Sequence, residues 1–188
     1  MKKSLFYTFG LLVTLVLFAC SNDDDGGSTE NQLDDVNVTT LVLTLTPEGG
    51  GTPVIFTSQD LDGTGPGEAE LTVDGTLTAN TSYTATIVFL NDAVDPQENQ
   101  TITILQNPNQ FQVFYISSDA LNLNPIYLDG DGNGNPLGVL MGFEAGDGSF
   151  GNLTISLRQD PNKPNDGSLS GAGGTTRIET TFTGVAIQ

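Results

Sequence analysis

The sequence predicts an all-β domain, folded as a single antiparallel β-sandwich of two sheets. Apolar and polar side chains alternate with a period of two in one short segment after another, which is typical of half-buried strands. The chain has 23 glycines, which suit the turns between many short strands. No amphipathic segment of helical period reaches ten residues. These observations favour a domain at 38–188 with one core.

The clearest alternation lies in 38–46 and in 81–90. We expect their apolar side chains to point into the core and the intervening threonines to point outward. The apolar positions are Leu41, Leu43, Leu45, Tyr83, Ala85, Ile87 and Phe89. Further strands are predicted at 53–58, 70–78, 101–105, 110–117, 124–128, 137–143, 152–158 and 175–187. The segment 70–78 is predicted to be broken by a turn at Asp74-Gly75.

One helical turn is predicted, at 95–98. Asp95 can cap it, Pro96 suits the first helical position, and Glu98 can close a capping box. Nine or ten strands at a spacing of roughly 8–15 residues favour an immunoglobulin-like or jelly-roll-like sandwich, with a closed barrel as the alternative. Without tryptophan or a cysteine pair, an antibody-type core is excluded.

The N-terminus has the pattern of an export signal. Lys2 and Lys3 precede an apolar run over 5–19, which ends at Cys20, the only cysteine. This arrangement resembles the lipobox of bacterial lipoproteins. The resemblance implies that 1–19 is a signal peptide and that Cys20 becomes the lipidated first residue of the mature chain. The alternative is an ordinary cleaved signal with an incidental cysteine.

The segment 20–37 is predicted to be a flexible tether, because it is polar and cannot bury apolar surface. Its acidic cluster at 23–25 resembles the signal that sends lipoproteins of the Bacteroidetes to the outer face of the outer membrane. That resemblance implies a surface-exposed outer-membrane lipoprotein. In the alternative, the cluster is a solvated spacer and the domain faces the periplasm.

Charge and composition exclude several function classes. All 23 acidic residues follow Cys20, but only Arg158, Lys163 and Arg177 are basic there, which argues against binding to nucleic acid or anionic lipid. The membrane link is therefore expected to be the lipid anchor alone. The chain has no histidine, which removes the common catalytic triads and dyads and histidine metal sites. We do not expect an enzyme.

The motif with the most specific chemistry is the loop Asp129-Gly130-Asp131-Gly132-Asn133-Gly134-Asn135, called the 129–135 loop below. Alternating oxygen side chains on Asp129, Asp131 and Asn133 match the opening of a calcium loop. The twelfth position is Leu140 instead of the required Glu, so any calcium needs a further carboxylate. Asp60 and Asp62 open a weaker loop of the same kind. The alternative for both is a tight turn, because Asp-Gly and Asn-Gly are preferred turn residues.

The mature domain as a whole resembles a family of Bacteroidetes lipoproteins without an established function. The resemblance is carried by the segments 43–54, 75–83 and 153–158. It implies a ligand-binding or accessory module, in a group that often works beside outer-membrane receptors. The alternative is a structural or adhesive surface domain, stiffened by calcium if the loops bind it. A deep apolar pocket would favour the first function, and a filled sandwich would favour the second.

Overall fold

The computed structural model describes residues 36–62 and 67–188, which belong to one compact unit. The predicted signal peptide, Cys20 and the tether up to residue 35 lie outside the described residues. Val36 and Val38 are both buried, so the packed chain includes residue 36. Within these described residues there are ten strands: β1 (Thr40–Pro47), β2 (Val54–Gln59), β3 (Glu70–Asp74), β4 (Thr81–Asn91), β5 (Glu98–Asn99), β6 (Phe111–Ser117), β7 (Leu123–Tyr127), β8 (Leu140–Ala145), β9 (Ser149–Gln159) and β10 (Thr175–Ile187).

These strands form two antiparallel sheets, which confirms the predicted all-β sandwich. The larger sheet has seven strands in the order β3-β2-β1-β4-β8-β7, with β5 paired to the C-terminal end of β4. The smaller sheet has three strands in the order β10-β9-β6. The two sheets therefore differ in width, and the larger one extends beyond the smaller one.

Packing between the sheets confirms the face predicted from the alternation. The seven apolar side chains expected to point inward, on β1 and β4, are all buried. Phe56 of β2 meets Phe182 of β10 edge to face, with the ring centroids 5.2 Å apart. Thr40 lies on the face of β1 opposite the core, as predicted, but it is buried there, and its hydroxyl donates to Asp92 Oδ2 at 2.7 Å.

The strand predicted at 101–105 is wrong, because this segment forms helix α1 (Gln100–Gln106). The Asn99 side chain caps it by accepting from the Thr101 N–H at 3.0 Å. Only Thr101 and Ile104, three residues apart on one helical face, are buried. The Thr101 hydroxyl oxygen also accepts from the Phe89 N–H at 2.8 Å, which fixes α1 against β4.

The helical turn predicted at 95–98 is also wrong. The segment is a bend that ends in β5, where Glu98 pairs with Asn91 of β4. Glu98, which was expected to close the capping box, pairs with β4 instead. The helix that forms begins after Asn99, which is its N-cap in place of the predicted Asp95. A second short helix, α2 (Leu169–Ala172), was not predicted. Its cap is Ser168, whose hydroxyl oxygen accepts from the Gly171 N–H at 3.0 Å.

Candidate functional site

Asp129 anchors the 129–135 loop to the segment that leads into β8. Its Oδ1 accepts from the Gly138 N–H at 2.6 Å, and its Oδ2 accepts from the N–H groups of Val139 and Leu140 at 2.9 and 2.8 Å. Both oxygens are thus engaged by backbone donors. Asp129 thus accepts hydrogen bonds from three backbone N–H groups at the start of a strand, which is a structural role typical of an aspartate in a turn.

Asp131 holds the interior of the same loop. Its Oδ1 accepts from the N–H groups of Asn133 and Asn135, each at 2.9 Å, and its Oδ2 accepts from the Asn135 side-chain amide at 3.0 Å. The side chain is almost fully buried. The Lys163 ammonium lies 3.5 Å from Asp131 Oδ2 and donates to the Pro108 carbonyl oxygen at 2.8 Å. One buried cation therefore joins three segments of the chain.

The electrostatics of this pair follow from its contacts. Burial alone would raise the pKa of Asp131, but hydrogen bonds from Asn135 and Asn133 and the charge of Lys163 outweigh it and lower the pKa to about 2. Burial lowers the pKa of Lys163, and the Asp131 carboxylate opposes that shift. Asp131 is consequently ionised at neutral pH, with the Lys163 side chain beside it.

The three calcium ligands predicted in this loop have different neighbours. Asn133 donates its side-chain amide to Asn109 Oδ1 at 3.5 Å, while Asp129 and Asp131 accept from the donors described above. Within residues 36–62 and 67–188, no group of three or more His, Cys, Asp or Glu side chains could hold a metal ion. Sequence reasoning missed Lys163, although its being one of only three basic residues after Cys20 was a signal.

The second predicted loop is described only in part, because 63–66 lie outside the described residues. Asp62 Oδ2 accepts from the Gly67 N–H at 3.0 Å, and the Asp60 N–H donates to the Thr39 carbonyl oxygen at 2.7 Å. Asp60 and Asp62 line a cleft of about 450 Å³, with Arg177 on its wall. The contact between Asp62 and Gly67 is the one expected of a turn that closes on itself.

We expect calcium to leave the melting temperature unchanged, because the carboxylates of Asp129 and Asp131 are already satisfied by amides and Lys163. If the loop did bind calcium, a free calcium concentration of about 100 times the dissociation constant would add roughly 2.7 kcal/mol to the free energy of unfolding. The measurement compares the full chain in detergent with a chelator and with millimolar calcium. A rise of several degrees in calcium that Asp131→Ala abolishes and Asp62→Ala preserves would establish a calcium site at the 129–135 loop instead.

The basic residues of the described chain are confined to 158–177 and have internal partners. Arg158 lies 3.4 Å from Glu179, Lys163 contacts Asp131, and Arg177 donates to Gln159 Oε1 at 2.8 Å. Seventeen of the 23 acidic residues lie within residues 36–62 and 67–188. Outside 158–177, the described surface therefore carries acidic side chains without basic ones.

The space between the sheets is filled by side chains. Large residues with almost no exposure occupy both inner faces, among them Phe56, Phe89, Phe111, Phe143 and Phe182. The clefts on the described surface open to solvent at the margins of this core, and one of them is bordered by the core residues Val54, Phe56 and Val185. One cleft, beside Gly142 on β8, has a volume of about 190 Å³, and another, beside Asn122 and Asn124, has a volume of about 530 Å³.

No helix within the described residues is long and apolar enough to cross a membrane. Comparison of the chain with protein families, with curated proteins and with solved structures finds no match.

Proposed function

We propose that this chain is a lipid-anchored module of the bacterial cell envelope, held at the outer membrane by Cys20 and exposed at the cell surface. It acts as an accessory that binds a protein partner, such as an outer-membrane receptor, through its surface. The filled interior argues against a ligand held between the sheets. The observation that carries the proposal is the charge of the described surface, which is acidic outside 158–177 and therefore suits a cationic protein. The acidic surface supports a protein partner over nucleic acid.

The structural or adhesive alternative is favoured by two observations. One is the filled interior, since a filled sandwich is typical of this function, and the other is the contact that closes the 129–135 loop. Lys163 closes the 129–135 loop by its contacts with Asp131 and Pro108, so the loop is held without calcium. A domain stiffened in this way suits a spacer or adhesive surface. It differs from the accessory role in requiring no particular envelope protein as a partner.

We expect Cys20→Ser to release the protein from membranes, because Cys20 is the only thiol available for lipidation. Membrane fractionation with metabolic lipid labelling measures this. Ser21→Ala is the matched control and should remain labelled and membrane-bound. A Cys20→Ser protein that still sediments with membranes and still takes up lipid label would contradict the anchor.

The partner is tested by cross-linking the full chain in intact cells. We expect a defined envelope protein to be cross-linked to the wild-type chain and to be lost when Cys20→Ser removes the chain from the membrane. Cross-linking that yields no envelope protein would favour the structural alternative. Protease treatment of intact cells tests the orientation, since a domain facing the periplasm would be protected.

A further inference from the structure

Strand β3 lies where the larger sheet extends past the smaller one. Leu71 and Val73 pair with Ser58 and Phe56 of β2, and residues directly opposite in an antiparallel pair share a face. Phe56 and Ser58 contact the smaller sheet, Ser58 through a hydroxyl contact of 3.0 Å with Thr180. Leu71 and Val73 therefore belong to the core face, but each is 43% exposed.

The uncovered face is one wall of a groove between β3 and β10. Val73, Val54 and Phe56 line an opening of about 200 Å³ on one side, with Val185 on the other. Among the described strands, β3 pairs only with β2, and β10 pairs along its length only with β9. At one end the chain crosses the groove, and Leu77 forms an isolated parallel bridge with Ile187. The edges of β3 and β10 thus flank an open strip, with the exposed side chains of Leu71 and Val73 on the β3 side.

The acidic side chains beside the groove indicate the charge of the molecule that it would bind. Glu70 and Asp74 stand at the two ends of β3, both exposed and on its opposite face, and Glu68 precedes them. A second copy of this chain is disfavoured, because antiparallel pairing of two β3 strands about Thr72 would set Glu70 of one copy against Asp74 of the other. Basic side chains on an added strand would instead be attracted.

We propose that the groove binds an extended segment of a basic protein, which adds as a strand to the outer edge of β3. Alternate apolar side chains of this segment would cover Leu71 and Val73, while its intervening Lys or Arg side chains would approach Glu70 and Asp74. Main-chain hydrogen bonds and alternate side-chain contacts together define this mode of recognition. The inference rests on the proposed function and identifies the surface and the class of partner.

The test measures binding of a labelled synthetic peptide of alternating valine and lysine to the full chain in detergent, by fluorescence anisotropy. We expect saturable binding that weakens about tenfold or more in the Leu71→Ser, Val73→Ser double variant, which loses apolar contact without a change of charge. The matched control, Ile126→Ser with Leu140→Ser, changes side chains of 38% and 37% exposure on the opposite face of the same sheet. Its affinity should stay within about twofold of wild type.

A second peptide separates strand addition from charge attraction. Methylation of alternate backbone nitrogens keeps every charge and side chain but removes hydrogen-bond donors, so we expect its affinity to fall about tenfold or more. Equal binding of both peptides, equal effects of the two double variants, or no binding at all would overturn the proposal. Concentration-dependent self-association lost in Leu71→Ser, Val73→Ser would point to a second copy and also overturn it. An envelope partner still cross-linked to that variant in cells would preserve the proposed function while refuting this groove.

Discussion

Phe182→Ala is expected to lower the free energy of unfolding by about 3 to 5 kcal/mol, the usual cost of removing a fully buried phenylalanine. The ring of Phe182 lies between the sheets against Phe56, at an interplanar angle of 78°. Its loss removes apolar contact from both sheets and leaves a cavity in a close-packed interior.

Thermal or denaturant unfolding of the full chain in detergent measures this effect. The fall in melting temperature should be about 10 °C or more for a domain of this size. Phe150→Ala is the matched control, because Phe150 lies in the same small sheet but is 67% exposed, and its loss should cost less than about 0.5 kcal/mol. Similar losses for the two variants would contradict the packing between the sheets.

Lys163→Met should lower the melting temperature by several degrees at neutral pH. The variant keeps the length and the apolar stem of the side chain but leaves the Asp131 carboxylate buried without its cation. It also removes the donor to the Pro108 carbonyl oxygen. Arg158→Met is the control, because its partner Glu179 is 43% exposed and solvent screens that pair, so a smaller fall is expected. A Lys163→Met protein as stable as wild type would show that the contact is dispensable.

The same pair predicts how acid affects stability. The folded-state pKa of Asp131 is lowered to about 2, below its unfolded value of about 4. The stability it contributes is therefore fully present above about pH 4 and is lost as the pH falls toward about 2. Asp131→Asn cannot titrate, so the difference in melting temperature between wild type and this variant should shrink over that range. A constant difference would contradict the lowered pKa.

The sandwich could be predicted because apolar and polar side chains alternate along a strand that has one buried face. In a strand with one buried face, alternate residues are mostly apolar, so Leu41–Leu45 and Tyr83–Phe89 indicated both the strands and their inner face. Helix α1 escaped the same reasoning, because Thr-Ile-Thr-Ile alternates and is rich in β-branched residues. Exposure of Ile102 and Leu105 shows that a period of two can arise without a buried strand face.

The candidate sites could be predicted only in part, because they depend on contacts between distant segments. Asp129 and Asp131 were found as a motif, but their partners include Lys163, which is 32 residues beyond Asp131 in sequence. Likewise, alternation placed Leu71 and Val73 on a strand but could not reveal that the opposite sheet ends before covering them. Relative sheet width is a tertiary property that no local pattern records.

With its basic residues gathered at 158–177, the domain presents a long-range negative field to anything that approaches elsewhere. Such a field accelerates the encounter with a cationic protein. Salt screens the field, which decays over a Debye length of about 8 Å at physiological ionic strength. Dissociation depends on short-range contacts and responds much less to salt. If the domain acts at the cell surface as proposed, the speed of capture would follow the salinity of the surrounding medium, while the lifetime of each complex would stay nearly constant.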